Sequence, residues 1–486
     1  MNSVKDPIWR KPIGFQLEGF EAMTDQAIGA PAMFPRIDSR TRRLLDAPVT
    51  ATLLRLAVPN ILVMVTQASI GLIEIYFIAR LGVEALAGVS QVFPVFSLFT
   101  AISQGSVGGG FVSAIARTLG RGRQDKASEF AWYAVFLAVP MGVLTTLLIT
   151  ACGPFFYTAM GAQGAALDTA LTYSNLVFGG AILIWLFNLL LATVRGTGNL
   201  ILPVFVVCGG AILLVPLSPL LIFGIGGIEG LGVAGAAVAI LVYYALGSLC
   251  FGAYLWGHRG VLHPQPRPPK LRLQPAWEIL RVGGMSTVVS STTNITLAIL
   301  TGYVGLHGVA AVAGYGAGAR LEFLLVPLTY GIGGPAGILI GTSIGAGDSR
   351  RALQTAWIAI AIAVVTAEAI GLAAATFPLL WLGVFSADPT VIATGADYLR
   401  TTGPFFGFFG LGYALYCAGQ GTGRMDWPVA GALVRAVISI GGGFLVVYTG
   451  SGLGGIFLAA GLGMAAFGII SLPSLLLRVG YSKAVR

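Results

Sequence analysis

Charge is what this 486-residue chain has least of: Asp, Glu, Lys and Arg make up 10% of it, against about 25% in water-soluble domains. Hydrophobic residues reach 56% and mean hydropathy is +0.86, so lipid must be the solvent for most of the surface. Histidine is also scarce. The three present, His258, His263 and His307, avoid the depths of the apolar runs. HExxH, paired-Asp and Walker-loop patterns are missing, so no enzyme is expected. The four cysteines, Cys152, Cys208, Cys250 and Cys417, lack metal-ligand spacing, and three lie well inside apolar runs. They read as small packing residues rather than a metal site or a disulfide framework. No cleavable signal pattern is read at the start.

What the chain has instead is long apolar runs. A bilayer-spanning helix needs about 20 such residues. Breaks at charged and Gly/Pro-rich stretches predict twelve spans, over 50–80, 84–118, 127–151, 168–195, 200–224, 231–257, 276–304, 309–344, 351–381, 390–420, 427–449 and 452–478. The runs are continuously apolar rather than alternating, which favours helices over a barrel. The fold class expected is an all-α membrane protein, and the 69 glycines suit close helix packing in lipid.

The net charge of +9 invites a nucleic-acid reading, but its distribution excludes one. Of 28 Lys and Arg, only Arg80 and Arg400 fall on one side of this topology, and Arg320 and Arg435 fall within spans. The rest lie in tails, alternate loops or the span ends facing them. That bias puts both termini in the cytoplasm and the protein in the plasma (inner) membrane. Glu84, Asp168, Glu229, Asp388 and Asp397 lie on the opposite face.

The sequence also repeats itself. RGTGNLILPV from Arg195 reappears as QGTGRMDWPV from Gln420, 225 residues on. At the same offset Gly120 and Gly122 match Gly345 and Gly347, Ala131-Trp132 matches Ala356-Trp357, and Tyr173 matches Tyr398. The organisation expected is a flexible tail (1–45, with an interfacial segment possible around Ile13 to Phe20), an N-lobe (46–257), a Pro-rich basic linker (258–275) and a C-lobe (276–486). Six spans per half give both halves one orientation, so their axis should lie along the membrane normal, with a transport path in the cleft between them. Pro59, Pro94, Pro216, Pro219, Pro327, Pro335 and Pro404 are candidate bending points within spans.

An ionisable group inside a bilayer costs at least about 3 kcal/mol, so it is either paired or working. Five are expected there: Glu74, Arg320, Glu322, Glu368 and Arg435. None has a charged mate in the other half. Glu74, in GLIEIYFIARLG, is a candidate for exchanging a proton or cation; a contact with Arg80 or a headgroup position is the alternative. Arg320 and Glu322, two apart, point to different faces of one helix. Arg435 with Glu322 is the preferred ion pair. A structural cluster and ion coupling at Glu368 or Glu322 both remain open. Aromatics crowd GPFFGFFGLGYALY, with Phe405 and Phe406, and the matching span offers Tyr173 and Phe178; aromatic faces can hold organic cations, or simply pack.

LAVPNIL, GLIEIYFIARLGVEALAGVS and ARTLGRGRQDKA in the first half, then GARLEFLLVPL, IGTSIGAGDSRRA and GQGTG in the second, resemble multidrug and toxic compound extrusion (MATE) transporters. The resemblance covers about 46–480. It implies two six-helix lobes in a V, exporting amphipathic, often cationic, small molecules against inward H⁺ or Na⁺. It also implies a coupling role for Glu74, where the family usually has Asp, and a hinge at Pro59. The family's other coupling positions fall on Leu214 and Ser218, or on Thr293, Asn294 and Phe409, so both established sets are incomplete here. Asn294, Tyr173, Phe178, Tyr398, Phe405 and Phe406 are candidates for the substrate path. The expectation is a proton-coupled exporter without cofactor or metal, acting as a monomer in the bilayer. H⁺ is preferred because a lone Glu can carry a proton, whereas dehydrated Na⁺ wants about five or six oxygens. A lipid flippase of the wider superfamily and a non-transporting receptor or scaffold are the alternatives.

Overall fold

The structure, a computed structural model, describes residues 37–225, 228–270 and 272–476. Most of the expected tail, with Ile13 to Phe20, lies outside the described residues. The last part of that stretch, Ser39–Asp46, is helical, started by Asp38, whose carboxylate accepts from the Arg40 and Thr41 amides at 2.8 and 3.0 Å.

The apolar runs fold as two sets of six helical spans. The first half has Val49–Leu81, Val83–Gly120, Gln124–Ala159, the bent pair Gly164–Gly179 and Ala181–Gly196, Ile201–Phe223 and Val233–Trp256. The second has Leu273–Gly305, Val309–Gly345, Ser349–Thr376, the interrupted pair Pro389–Thr402 and Phe406–Thr422, Asp426–Thr449 and Leu453–Leu475. They are numbered here as spans 1 to 12. A hairpin of two-residue strands, β1 (Gly224–Ile225) and β2 (Ile228–Glu229), joins spans 5 and 6. Two span ends differ from the sequence reading. Span 3 runs through Pro140 and Pro154 to Ala159 instead of stopping at 151. Span 9 stops at Thr376, because Pro378 forces Phe377 out of the helical region (φ −123°, ψ 55°) and starts a short helix of its own.

The fourth helix of each half breaks at the same place. Span 4 bends by 51° at Gly179–Gly180, and span 10 tightens into a 3₁₀ turn over Gly403–Phe405. Gly179 and Gly180 are the repeat mates of Pro404 and Phe405. Two different helix-weakening residues, glycine and proline, thus produce one shared break.

Each half buries its own hydrophobic core: Phe111, Phe187 and Tyr243 in the first, Tyr315, Phe409 and Phe457 in the second. A third cluster joins the two, drawing Leu53 and Ala116 from the first half and Ile338, Leu339 and Leu415 from the second. The close approaches between halves crowd toward the end that carries the basic loops after Gly120 and Gly345. There span 2 crosses span 8 at glycines that are each other's repeat mates. A Cβ on Gly120 would strike the Thr342 carbonyl, and one on Gly345 would strike the Arg117 carbonyl. Gly110 against Ile279 and Gly283 against Val107 add two more backbone-level contacts. Gly120→Val should therefore separate the halves at this end and lower stability by about 1–3 kcal/mol, the usual cost of overpacking. Thermal unfolding in detergent checks it, with Gly284→Val, at an exposed helical glycine with open space around it, as the comparison; an unchanged midpoint for Gly120→Val would contradict the crossing.

Candidate functional site

Away from that crossing the halves enclose a cavity of about 440 Å³. Its walls come from spans 1, 2, 4 and 6 on one side and 7, 8 and 10 on the other. They are mainly apolar and aromatic, with Phe93, Phe96, Tyr244, Tyr330, Tyr413 and Tyr416. Polar groups are few. Gln104 donates to Gln67 across spans 1 and 2 at 2.8 Å, and Ser290, Thr293 and Asn294 face them from span 7.

Two carboxylates reach this wall, in opposite electrostatic situations. Glu74 of span 1 is only 4% exposed. Its Oε2 accepts from the Tyr173 hydroxyl at 3.2 Å, and its Oε1 has no partner among the described residues. Arg80 is not its counter-ion: that guanidinium donates to the Tyr76 hydroxyl at 2.5 Å and lies over the same ring. Glu322 of span 8 is fully engaged. Its Oε1 accepts from Arg435 Nη2 at 2.7 Å and its Oε2 from the Tyr398 hydroxyl at 3.1 Å. Arg435 also sits 5.0 Å over the Phe409 ring. One acid on the cavity wall is thus neutralised and the other is not.

Tyr173 and Tyr398 are repeat mates, and each gives its hydroxyl to an acid of its own half. The acids are not mates, since Glu74 is on the first helix of its half and Glu322 on the second. The duplication supplies the donor twice, while the acids that it meets stand at non-equivalent positions.

Several candidates sit elsewhere. Arg320 is exposed, 5.1 Å over the Phe385 ring, and takes no part in the Glu322–Arg435 pair, because two residues along a helix it faces away. Glu368 does not reach the cavity. Its Oε2 accepts from the Gly407 amide at 2.7 Å, a donor left free where span 10 restarts after its break. Its place is that of a cap on a broken helix. Phe178 and Phe406 are buried inside their lobes, Phe405 packs against Gly461, and Tyr398 stands behind Glu322; none of the four lines the cavity. Tyr173 and Asn294 do. Span 1 runs unbroken through Pro59.

The sequence reading missed the polar contacts that close the other end. Arg195 and Arg117, taken there for cytoplasmic span-end charges, are 4% and 5% exposed. Arg117 pairs with Glu278 across the halves at 2.5 Å. Arg195 donates to Asn60 Oδ1 at 2.5 Å, and Gln420 donates to the Gly105 carbonyl at 2.9 Å. The signal was present: Arg195 and Gln420 head the repeated GTG motif. Among the described residues no cluster of three His, Cys, Asp or Glu could hold a metal ion.

The MatE family model matches residues 59–220 and 285–445, one stretch in each half. The chain belongs to the MatE family. It is therefore a multi-pass membrane transporter. A FAD transporter of Shewanella oneidensis is 27% identical over 76% of this chain and 81% of its own length. A probable multidrug resistance protein NorM of Thermotoga maritima is 26% identical over 78% and 81%. The multidrug export protein MepA of Staphylococcus aureus is 22% identical over 81% and 87%. Among solved structures, a MOP superfamily transporter from Pyrococcus furiosus superposes with a TM-score of 0.83 at 24% identity, over 92% of this chain and 99% of that one. A MATE in the bent conformation gives 0.85 at 24% over the same shares. This structural likeness establishes the MatE fold of two six-helix lobes.

Removing one partner of a buried ion pair strands the other, which costs about 3–5 kcal/mol. Arg435→Ala should therefore cut the folded yield and thermal stability far more than Glu74→Gln, which strands no counter-charge. Size-exclusion profiles and melting midpoints of the two variants decide this; equal behaviour would dissolve the significance of the pairing.

Proposed function

We propose that this chain is a secondary exporter that swaps an inward proton at Glu74 for an outward amphipathic or cationic small molecule, by opening one cavity to alternate sides of the membrane. The observation that carries this reading is the state of Glu74. It is a buried carboxylate on the cavity wall with one oxygen held by a hydroxyl and the other without a partner. A proton satisfies that oxygen, and a cargo cation in the cavity satisfies the charge once the proton has left. Occupation by one or the other is the elementary requirement for exchange.

Sodium fits less well, because a hard cation collects about six oxygens and Glu74 has one hydroxyl beside it. The aromatic walls suit flat organic cations, whose charge is attracted by ring faces. Glu322 adds no net charge, since Arg435 cancels it, so Glu74 is the acid on the cavity wall whose charge is free to change. The basic loops support a reading with the closed end and both termini in the cytoplasm and the cavity mouth outside, in the plasma membrane. The named FAD transporter supports a second reading, an anionic nucleotide cargo, which the uncompensated Glu74 disfavours.

Glu74→Gln keeps the shape and removes the titration. In everted vesicles carrying a pH gradient, the variant should lose at least about tenfold in export of a fluorescent organic cation, while Glu74→Asp retains most of it. Release of protons from detergent-solubilised protein on adding that cation should vanish with Gln. Full export by Glu74→Gln, or sodium-dependent export by the parent at zero pH gradient, would refute the proton assignment. FAD added in the same assay tests the anionic cargo directly.

A further inference from the structure

The closed end is built from one hydrogen-bonded device made twice. Arg195, at the end of span 4, donates to Asn60 Oδ1 on span 1 of its own half. Asn60 passes its amide across to the second half, donating to the Gly331 carbonyl at 3.1 Å and the Tyr330 carbonyl at 3.4 Å on span 8. Gln420, the repeat mate of Arg195, donates to Ser286 Oγ on span 7 of its own half at 3.1 Å, and across to the Gly105 carbonyl on span 2 at 2.9 Å. Gly105 and Tyr330 are themselves repeat mates. Each arm therefore leaves the fourth helix of one lobe, touches the first helix of that lobe, and ends on one equivalent carbonyl of the other lobe's second helix.

Both acceptors lie where the helix is irregular. Pro335 has no amide to give the Gly331 carbonyl four residues earlier, so that oxygen needs another donor. Gly105 lies in a π-helical stretch, Ala101–Val107. All four side chains are buried, with Asn60 at 1%, Arg195 at 4%, Gln420 at 5% and Ser286 at 0% exposed. Arg195 has no ionic partner among the described residues, so Asn60 carries its compensation. Gln420 reaches its acceptor by passing Gly109, where a Cβ would collide with the amide. The Arg117–Glu278 pair also crosses the lobes at this end, but Glu278 is half exposed, so water takes over its charge on separation; the buried crossing bonds are made by neutral amides, which part at less cost than a buried ion pair.

We propose that Arg195 with Asn60, and Gln420, are positioning residues that form a twofold latch, holding the lobes shut at the basic-loop end while the cavity faces the other side. Release of both arms is required before the cavity can open inward. Asn60 lies on the helix that carries Glu74, and Arg195 on the span that carries Tyr173, so the ion site and one arm share both their supports. The latch rests on alternate opening of the cavity but not on which ion drives it.

Asn60→Asp is the discriminating variant. It gives Arg195 a full counter-charge, so the fold is kept, yet it replaces the amide that holds the Gly331 carbonyl with an oxygen that repels it. Gln420→Ala removes the other arm. With Lys126→Cys and Arg350→Cys, both exposed at the closed end, spin-labelled in an otherwise cysteine-free full-length chain in nanodiscs, each latch variant should raise the long-distance, inward-open population about five- to tenfold, and the pair multiplicatively. Melting midpoints for Asn60→Asp should stay near the parent's, which a merely structural role would not combine with a shifted distance. Distance distributions identical to the parent's in both variants would overturn the latch. The labels report conformation without cargo or gradient, so this outcome is independent of any failure of the Glu74 assignment, which shows only in transport.

Discussion

Inside a bilayer no water comes to the rescue of an unpaired backbone group, and that constraint governs where polar side chains sit in this protein. Two of the helix irregularities are met from a neighbouring helix. Pro335 frees the Gly331 carbonyl, and Asn60 takes it. The break over Gly403–Phe405 frees the Gly407 amide, and Glu368 takes it. The helices can be bent or interrupted, as a cavity between two lobes demands, only because specific amides and carboxylates stand opposite the gaps. Without them, twelve straight rods would pack into a bundle with nowhere for cargo to go.

Against that common scaffold the chemistry is lopsided. Tyr173 and Tyr398 offer equivalent hydroxyls, but one meets a lone acid and the other an acid already matched to Arg435. The Glu322–Arg435 pair ties span 8 to span 11 inside the second lobe, and the exchange proposed at Glu74 would leave that tie in place.

The architecture was legible because apolar length, loop charge and a fixed offset are properties of the chain itself. Twelve runs, their order and the twofold repeat needed no knowledge of contacts. The site was legible only in part. Glu74 and Glu322 stand out since an acid in an apolar run is costly wherever it faces. Glu368 carries the same signal, but its role depends on a helix break some forty residues away, which no local pattern reveals. Arg320 lies within span 8 as expected, but the sequence does not show what its own face meets, which is the Phe385 ring rather than an acid. Arg195 was hidden the other way, since a charge near a span end resembles a loop charge until the partner lobe covers it.

The crossing of spans 2 and 8 has a consequence for how such a chain can evolve. Gly120 and Gly345 descend from one ancestral position and now stand face to face, each against the other's strand of backbone. Elsewhere the two copies have drifted independently, to the point that an arginine in one answers a glutamine in the other. At this spot neither copy can enlarge without intruding on its twin, so the seam between the duplicated units has no room for a side chain at either position.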